Sequence, residues 1–205
     1  GIPGSVELME QQADMYAHMG LNLMRHHTVL GMILSDGEID AAKLDAYDQW
    51  FSILKNAGIH VQWSLFYPLV IKESDDYPLF GDLNSGSTSG LVTVFPALQD
   101  LEWAVLETML NHTNPYTGLK YAEDPALAVV EIRNEDSIFW HNPLNPLTDG
   151  TYPAHQAALQ SDWAEWLTEK YGDDATLLAA WSDGHRADDS LGNSTMGIYA
   201  AWQMG

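Results

Sequence analysis

Apolar residues recur along the chain with two spacings, one typical of helices and one typical of buried strands. A first helix is predicted to begin after Ser5, an N-cap residue type, and to end at Gly20, because glycine readily adopts the left-handed conformation that closes a helix. Further helices are predicted over about 40–58, from Pro96 until 114–118, over about 155–171 and over about 174–181. Short apolar runs predict strands over 21–26, 59–66 and 126–133, the last of them buried in character.

Two stretches lack either spacing and are predicted to be irregular. Ser35–Glu38 is a turn-forming sequence, and the polar, glycine-containing stretch 73–90 predicts a long surface loop of the kind that often lines a site. The remaining order is helix, strand, helix, strand, helix, strand, helix. Because buried strands separated by helices pair in parallel through crossover connections, this order predicts an α/β fold.

An α/β fold of this kind is either a doubly wound sheet or a closed barrel. Doubly wound sheets that bind nucleotides carry a glycine-rich phosphate loop after a strand. The chain contains neither the G-x-G-x-x-G pattern nor the G-x-x-x-x-G-K-[ST] pattern. Nucleotide-binding versions are therefore disfavoured, and the sequence implies no cofactor.

Composition and charge narrow the class of partners. Hydrophobic residues make up 46% of the 205 residues and aromatic residues 11%, which is typical of a folded domain. Eight Lys and Arg stand against 29 Asp and Glu, so the formal net charge of −21 would repel nucleic acid and anionic membrane surfaces. No apolar run approaches the ~18 residues of a membrane span, and there is no cysteine for a disulfide or a thiolate metal site.

The segment 124–136 holds the most informative candidate site. Its strand delivers Asn134 and Glu135 at the C-terminal end, where barrel enzymes place their catalytic groups. Strand alternation would put Glu131, Arg133 and Glu135 on one side, with the first two in layers beneath the third. The same residues could instead cap the following loop by bonding local backbone N–H groups, and spacing alone leaves both interpretations open.

An Asn-Glu pair at the end of an apolar strand that begins at a proline resembles the acid/base motif of the large clan of retaining glycoside hydrolases that includes family 5 cellulases and mannanases. Other segments are similar to parts of family 5-like barrels, namely 21–25, 54–61, 114–118 and 163–167. The resemblance implies a (β/α)8 TIM barrel, a fold that typically takes about 250 residues. By correspondence, residues 1–205 form a single catalytic-barrel domain that covers roughly the N-terminal half, from the first helix through the fourth helix.

The resemblance also implies roles for individual residues. Glu135 would be the general acid/base that protonates the glycosidic oxygen and later activates water, Asn134 would hydrogen-bond the sugar 2-hydroxyl, and Arg25 would lie near the nucleophile. The implied substrate is a β-linked polysaccharide or oligosaccharide, cleaved by a retaining double displacement. Retaining chemistry needs a second carboxylate about 5 Å from the first. The clan's nucleophile, a glutamate on strand seven, is expected outside this sequence.

Further binding residues are predicted around the same strand ends. Members of family 5 often carry histidine near the end of strand three, whereas this chain has Ser-Leu-Phe-Tyr at 64–67. Tyr67 and Trp140 are candidate platforms for a sugar ring, since aromatic faces favour flat apolar surfaces. Only one of the adjacent residues His26 and His27 can face the cleft, and His26 is assigned to it. Their opposite directions also disfavour a joint metal site.

Two other functions stay open. The first is a non-catalytic carbohydrate-binding or scaffold protein on a degenerate barrel that lacks the strand-seven glutamate. The second is another parallel-barrel enzyme that uses Glu131, Arg133 and Glu135 differently, since a fold does not fix a function. A half-barrel with two exposed strand edges would be a poor independent fold, so the remainder of the barrel, from the same or another chain, is an expected partner. Secretion or a periplasmic location would follow from the class of enzyme and not from any residue.

Overall fold

The computed structural model of the protein describes residues 1–35, 38–74, 77–138 and 144–198. Its α-helices are α1 (Val6–His18), α2 (Val29–Ile33), α3 (Ala41–Asn56), α4 (Pro96–Asn111), α5 (Pro153–Tyr171) and α6 (Asp174–Trp181). Its strands are β1 (Leu23–His26), β2 (Leu34–Ser35), β3 (Glu38–Ile39), β4 (His60–Phe66) and β5 (Leu127–Arg133). Single turns of 3-10 helix lie at Phe80–Asp82, Asn84–Gly86, Leu91–Thr93, Tyr121–Glu123, Asn145–Leu147 and Ser182–Gly184.

Strands β1, β4 and β5 form a parallel sheet with β4 at its centre. Leu23 pairs with His60 at the start of the β1–β4 ladder, and Phe66 pairs with Arg133 at the end of the β4–β5 ladder. Helix α3 lies in the chain between β1 and β4, and α4 lies between β4 and β5. The prediction of an α/β fold with parallel strands is therefore confirmed as a mixed α/β fold with a three-stranded parallel sheet.

The chain divides into two compact units. The first unit contains Gly1–Lys72 and Gln99–Asp136, and it holds the parallel sheet with α1, α2, α3 and most of α4. The second unit contains Glu73–Leu98 and Ser137–Gly205, and it holds α5 and α6. That residues 1–205 form one catalytic domain stays a prediction.

The helices begin where polar side chains cap their free backbone N–H groups. Ser5 Oγ accepts a hydrogen bond from the backbone N–H of Leu8 at 3.3 Å, as predicted for the start of α1. At the start of α3, Asp40 Oδ1 accepts from the backbone N–H groups of Ala42 and Lys43. Such caps satisfy donors that have no partner inside the helix, which is why these two helix starts follow from local sequence.

The core of the first unit lies between the sheet and α3. The central strand buries Val61, Trp63 and Leu65 completely or nearly so. Phe51 of α3 is also fully buried, and the Tyr121 ring packs at a tilt against Trp63 with ring centroids 4.6 Å apart. This aromatic core explains why β4 is the best-covered strand of the sheet.

The two outer strands are much less buried than the sequence predicts. Side chains of Val129 and Ile132 in β5 are 43% and 37% exposed, and Leu23 in β1 is 47% exposed. The prediction that 126–133 is a fully buried strand is therefore wrong for these 205 residues. The reason is position in the sheet, because an edge strand has a neighbour on one side only.

The second unit contains the polar stretch that was expected to be a surface loop. Tyr77 and Leu83 in that stretch are only 6% and 7% exposed, and Thr88 is fully buried. Helix α5 is anchored to it, because Asp82 Oδ2 accepts from the backbone N–H groups of Ala154 and His155. The expectation of a solvent-facing loop is therefore wrong for part of this stretch, which instead closes the N-terminus of α5.

Candidate functional site

Polar side chains gather where the three parallel strands of the first unit end. Arg25 comes from β1, Ser64 from β4 and Glu131 from β5. Asn134 follows β5 directly, and its backbone N–H still donates to Phe66 O at 3.0 Å, so the ladder extends one residue beyond the strand. The C-terminal edge of a parallel sheet is the place where α/β enzymes bind ligands.

Arg25 is the hub of this cluster. Its Nη2 donates to Glu131 Oε2 and to Asn134 Oδ1, both at 2.6 Å, and lies 3.3 Å from Ser64 Oγ. The side chains of Arg25 and Glu131 are 40% and 31% exposed, so the ion pair is open to solvent. The structure thus brings together Arg25 and Asn134, and their role in a binding site stays a prediction.

Glu131 is held as a carboxylate. The hydrogen bond from the Ser64 hydroxyl, followed by the hydrogen bond from Arg25, holds the pKa of Glu131 below its ordinary value. The positive charge of Arg25 acts in the same direction, and His27 contributes less. Hydrogen bonds that are made to the charged form of an acid favour that form, so Glu131 serves here as a fixed negative partner of Arg25.

Glu135 lies beside Tyr67 at the end of the cluster. The Tyr67 hydroxyl donates to Glu135 Oε2 at 3.3 Å, and the Tyr67 ring packs at 5.6 Å from the ring of His27. Glu135 has a backbone φ of +52°, in the left-handed region that residues other than glycine rarely adopt. Tyr67 is 42% exposed, so its ring and the neighbouring carboxylate are both accessible.

The two adjacent histidines face different surroundings. His26 is 4% exposed and its Nδ1 lies 2.7 Å from the Tyr47 hydroxyl, in the core between sheet and α3. Burial lowers the pKa of His26 to about 4. His27 has its Nδ1 3.4 Å from Ser64 Oγ and its ring against Tyr67. The structure thus brings His27 to the cluster and places His26, the residue assigned to the cleft, on the core side.

Arg133 departs from the predicted layering. Its Nε donates to both carboxylate oxygens of Glu102 in α4, at 2.9 and 3.0 Å. Burial raises the pKa of Glu102, and the charge of Arg133 opposes that effect. Arg133 therefore fixes α4, whereas Glu131, two residues earlier, joins the cluster.

A cavity of about 280 Å³ adjoins the cluster within the first unit. Arg25 and His27 line it, together with Gly1, Gln12, Tyr16, Met24, His26, Met32 and Trp50. Its volume is near the lower end of the range of small-molecule sites.

Trp140, the other predicted sugar platform, lies outside the described residues. Among the residues that the structure describes, no group of three or more His, Asp and Glu is arranged to hold a metal ion.

Two members of the cluster, Ser64 and His27, are not among the site residues predicted from the sequence. Ser64 is fully buried and is the only small polar residue within the apolar run 63–66, a signal that a buried strand turns one polar group toward a site. His27 follows β1 directly, and its place in the cluster depends on the register between β1 and β4, in which Arg25 pairs with Gln62. That register is a long-range feature that no local pattern reveals.

The cluster offers complementary chemical groups at an open surface. Arg25 and the Asn134 amide supply N–H donors, and Glu135 supplies a carboxyl group that can give or take a proton.

Compared with known proteins, the chain matches no protein-family model and no curated protein. None of the helices within the described ranges is long and apolar enough to cross a membrane.

Proposed function

We propose that this protein is a retaining glycoside hydrolase that cleaves β-linked polysaccharide or oligosaccharide, with Glu135 as the general acid/base. The observation that carries the proposal is a pair of hydrogen bonds on adjacent residues at the C-terminal ends of parallel strands, from Arg25 to Asn134 and from Tyr67 to Glu135. A carboxyl group in that position, with N–H donors beside it, suits the protonation of a glycosidic oxygen.

The proposed architecture is the N-terminal half of a (β/α)8 barrel. The parallel order β1-β4-β5 follows the order of the strands in the chain, as it does in a barrel. The apolar side chains exposed on the outer strands, Leu23 and Val129 among them, support further strands at both edges. Such strands would come from the remainder of the barrel, in the same or another chain, and would also bring the nucleophilic glutamate.

Glu135 has two tasks in the proposed double displacement. It first donates a proton to the glycosidic oxygen while the nucleophile attacks the anomeric carbon, so the leaving group departs as a neutral alcohol. It then takes a proton from water, which attacks the glycosyl-enzyme and releases the sugar with retained configuration. Asn134 and Arg25 position the sugar hydroxyl next to the reacting carbon.

The test is hydrolysis by the natural gene product, after its intact mass has been compared with the 22.8 kDa of these residues. Wild type and Glu135→Gln are assayed on a β-linked polysaccharide and on 4-nitrophenyl β-glycosides. Loss of a general acid/base lowers the rate on the polysaccharide by about 10²–10⁴-fold. With the nitrophenyl glycosides the substitution slows the first step less, because nitrophenolate leaves without a proton. Azide restores turnover of the variant in the second step, because an anionic nucleophile needs no general base.

Glu165→Gln is the matched control, since it makes the same chemical change at an exposed position of α5 and should leave both rates unchanged. Unchanged hydrolysis by Glu135→Gln would remove Glu135 from the mechanism. Absence of hydrolysis by a wild-type protein of 22.8 kDa, together with binding of the polysaccharide, would favour the non-catalytic carbohydrate-binding alternative.

A further inference from the structure

The amide of Asn134 can face Arg25 in only one orientation. A guanidinium group donates hydrogen bonds and accepts none, so the atom that lies 2.6 Å from Arg25 Nη2 has to be the amide oxygen Oδ1. The amide nitrogen Nδ2 is then turned away from Arg25. Within the residues that the structure describes, Nδ2 donates no hydrogen bond to the protein, so both of its hydrogens remain for a ligand.

Glu131 determines where Arg25 can hold that amide. The two shortest hydrogen bonds of Nη2 are those to Glu131 Oε2 and Asn134 Oδ1, both at 2.6 Å, and Ser64 Oγ accepts a longer one at 3.3 Å. Glu131 lies within β5, and its partner Ser64 is fully buried in the central strand. Arg25 is thereby attached to the rigid sheet through Glu131, and Asn134 is attached to Arg25.

We propose that Glu131 is a positioning residue: its carboxylate anchors Arg25, which fixes the Asn134 amide with Nδ2 toward the ligand. The ligand atom at this point must then be a hydrogen-bond acceptor, such as the oxygen of a hydroxyl group. The orientation follows from the contacts alone, whereas its importance for catalysis rests on the proposed function. Charge-assisted hydrogen bonds suit this task because they are short and directional.

The first readout is nuclear magnetic resonance of the Asn134 side-chain amide in the ¹⁵N-labelled full chain. Its cross-peak pair is assigned by its loss in Asn134→Asp. In Glu131→Ala the pair should move, and its ¹⁵N order parameter should fall out of the rigid range. Glu131→Gln, which keeps the shape and one acceptor but loses the charge, should give an intermediate shift and covers the case in which the alanine variant does not fold.

Glu38→Gln is the matched control, because the Glu38–Lys72 pair has the same N···O distance of 2.6 Å as the Glu131–Arg25 pair. It should leave the Asn134 cross-peaks in place. If Glu131→Ala and Glu131→Gln also leave them in place, the positioning role is refuted, whatever the protein hydrolyses.

The second readout is kinetic and separates this inference from the proposed function. On 4-nitrophenyl β-glycosides, Glu131→Gln should lower kcat/KM by on the order of tenfold, which corresponds to about 1.4 kcal/mol. Glu131→Asp, which keeps the charge, should show a smaller loss than Glu131→Gln. Cross-peaks that move in a protein without hydrolysis would uphold the positioning role and reject the hydrolase, whereas hydrolysis that is insensitive to Glu131→Gln would overturn the role in catalysis.

Discussion

Glu135 combines an exposed carboxylate with a strained backbone. A left-handed conformation costs a residue that carries a Cβ atom about 1–2 kcal/mol relative to the ordinary regions, and Glu135 has a φ of +52°. The extended ladder ends just before it, where the Asn134 N–H reaches Phe66 O. Strain of this kind persists only when the surrounding structure enforces it, and it is common at functional sites.

Comparison of glycine with alanine at position 135 measures this strain. At ordinary positions alanine is the more stabilising residue, because glycine loses more backbone entropy on folding. At 135 we expect the reverse, with Glu135→Gly more stable than Glu135→Ala by up to about 1 kcal/mol. Urea unfolding of the two variants measures the difference.

The same pair of substitutions at Glu131, inside β5, provides the control for the strain experiment. There the free energy of unfolding of Glu131→Ala should exceed that of Glu131→Gly by roughly 0.5–1 kcal/mol. If Glu135→Ala is also more stable than Glu135→Gly, the left-handed backbone at 135 carries no strain in solution.

Side-chain direction at single residues was predictable only while the backbone stayed extended. Alternation correctly separates the adjacent residues His26 and His27, but it does not tell which of them meets Ser64. At the end of β5 the alternation argument fails, because Arg133 bonds to Glu102 of α4 and Glu135 is no longer extended. The contact between Arg25 and Asn134 spans more than a hundred residues of sequence, and only the pairing of β1, β4 and β5 creates it.

Among the elements, those with local signals were the predictable ones. Caps at Ser5 and Asp40 identify the starts of α1 and α3, and apolar runs identify the three strands of the parallel sheet. Helix α2 was not predicted, because its N-cap Thr28 makes no side-chain cap and has a φ of +55°. Burial of Val29, Leu30 and Ile33 stabilises this short helix through tertiary contacts instead.

A buried asparagine is among the residues that attach the segment after α4 to α3. Asn114 is 1% exposed, its Nδ2 donates to Asp48 O at 2.9 Å and its Oδ1 accepts from the Tyr116 N–H at 2.8 Å. Asn114→Ala leaves the buried partners unsatisfied, so we expect the free energy of unfolding to fall by about 2 kcal/mol. Urea denaturation with a constant m-value measures the change.

Asn111→Ala is the comparison for this element. Asn111 is exposed, and its Nδ2 donates to Glu107 O within its own helix. Its replacement should change the free energy of unfolding by less than about 0.5 kcal/mol. Equal effects of the two variants would mean that Asn114 does not fasten the segment to α3.

For the whole molecule, the main electrostatic feature is self-repulsion. The formal net charge is −21, with 29 Asp and Glu and 8 Lys and Arg. Like charges also face each other locally, as Glu165 and Glu169 do one turn apart on the exposed side of α5. Each such contact costs a few tenths of a kcal/mol, and a large net charge destabilises compact states.

We expect the free energy of unfolding to rise when sodium chloride is added. The screening length falls from about 10 Å at 0.1 M to about 3 Å at 1 M, so repulsion between exposed carboxylates is largely removed within this range. Screening predicts a steep rise that levels off, whereas exclusion of salt from apolar surface predicts a steady rise. Urea unfolding at increasing sodium chloride concentrations distinguishes the two shapes.

Glu169→Lys tests the origin of that salt effect. The substitution turns the Glu165–Glu169 repulsion into a Glu-to-Lys attraction at the favourable i, i+4 spacing, which stabilises a helix by about 0.2–0.5 kcal/mol. The variant should therefore be more stable than wild type at low salt, and its stability should depend less on sodium chloride, since an attraction is screened while the remaining repulsion is relieved. Equal salt dependence of the two proteins would place the effect outside local charge pairs, and a stability independent of salt in both would show that the negative charge does not oppose folding.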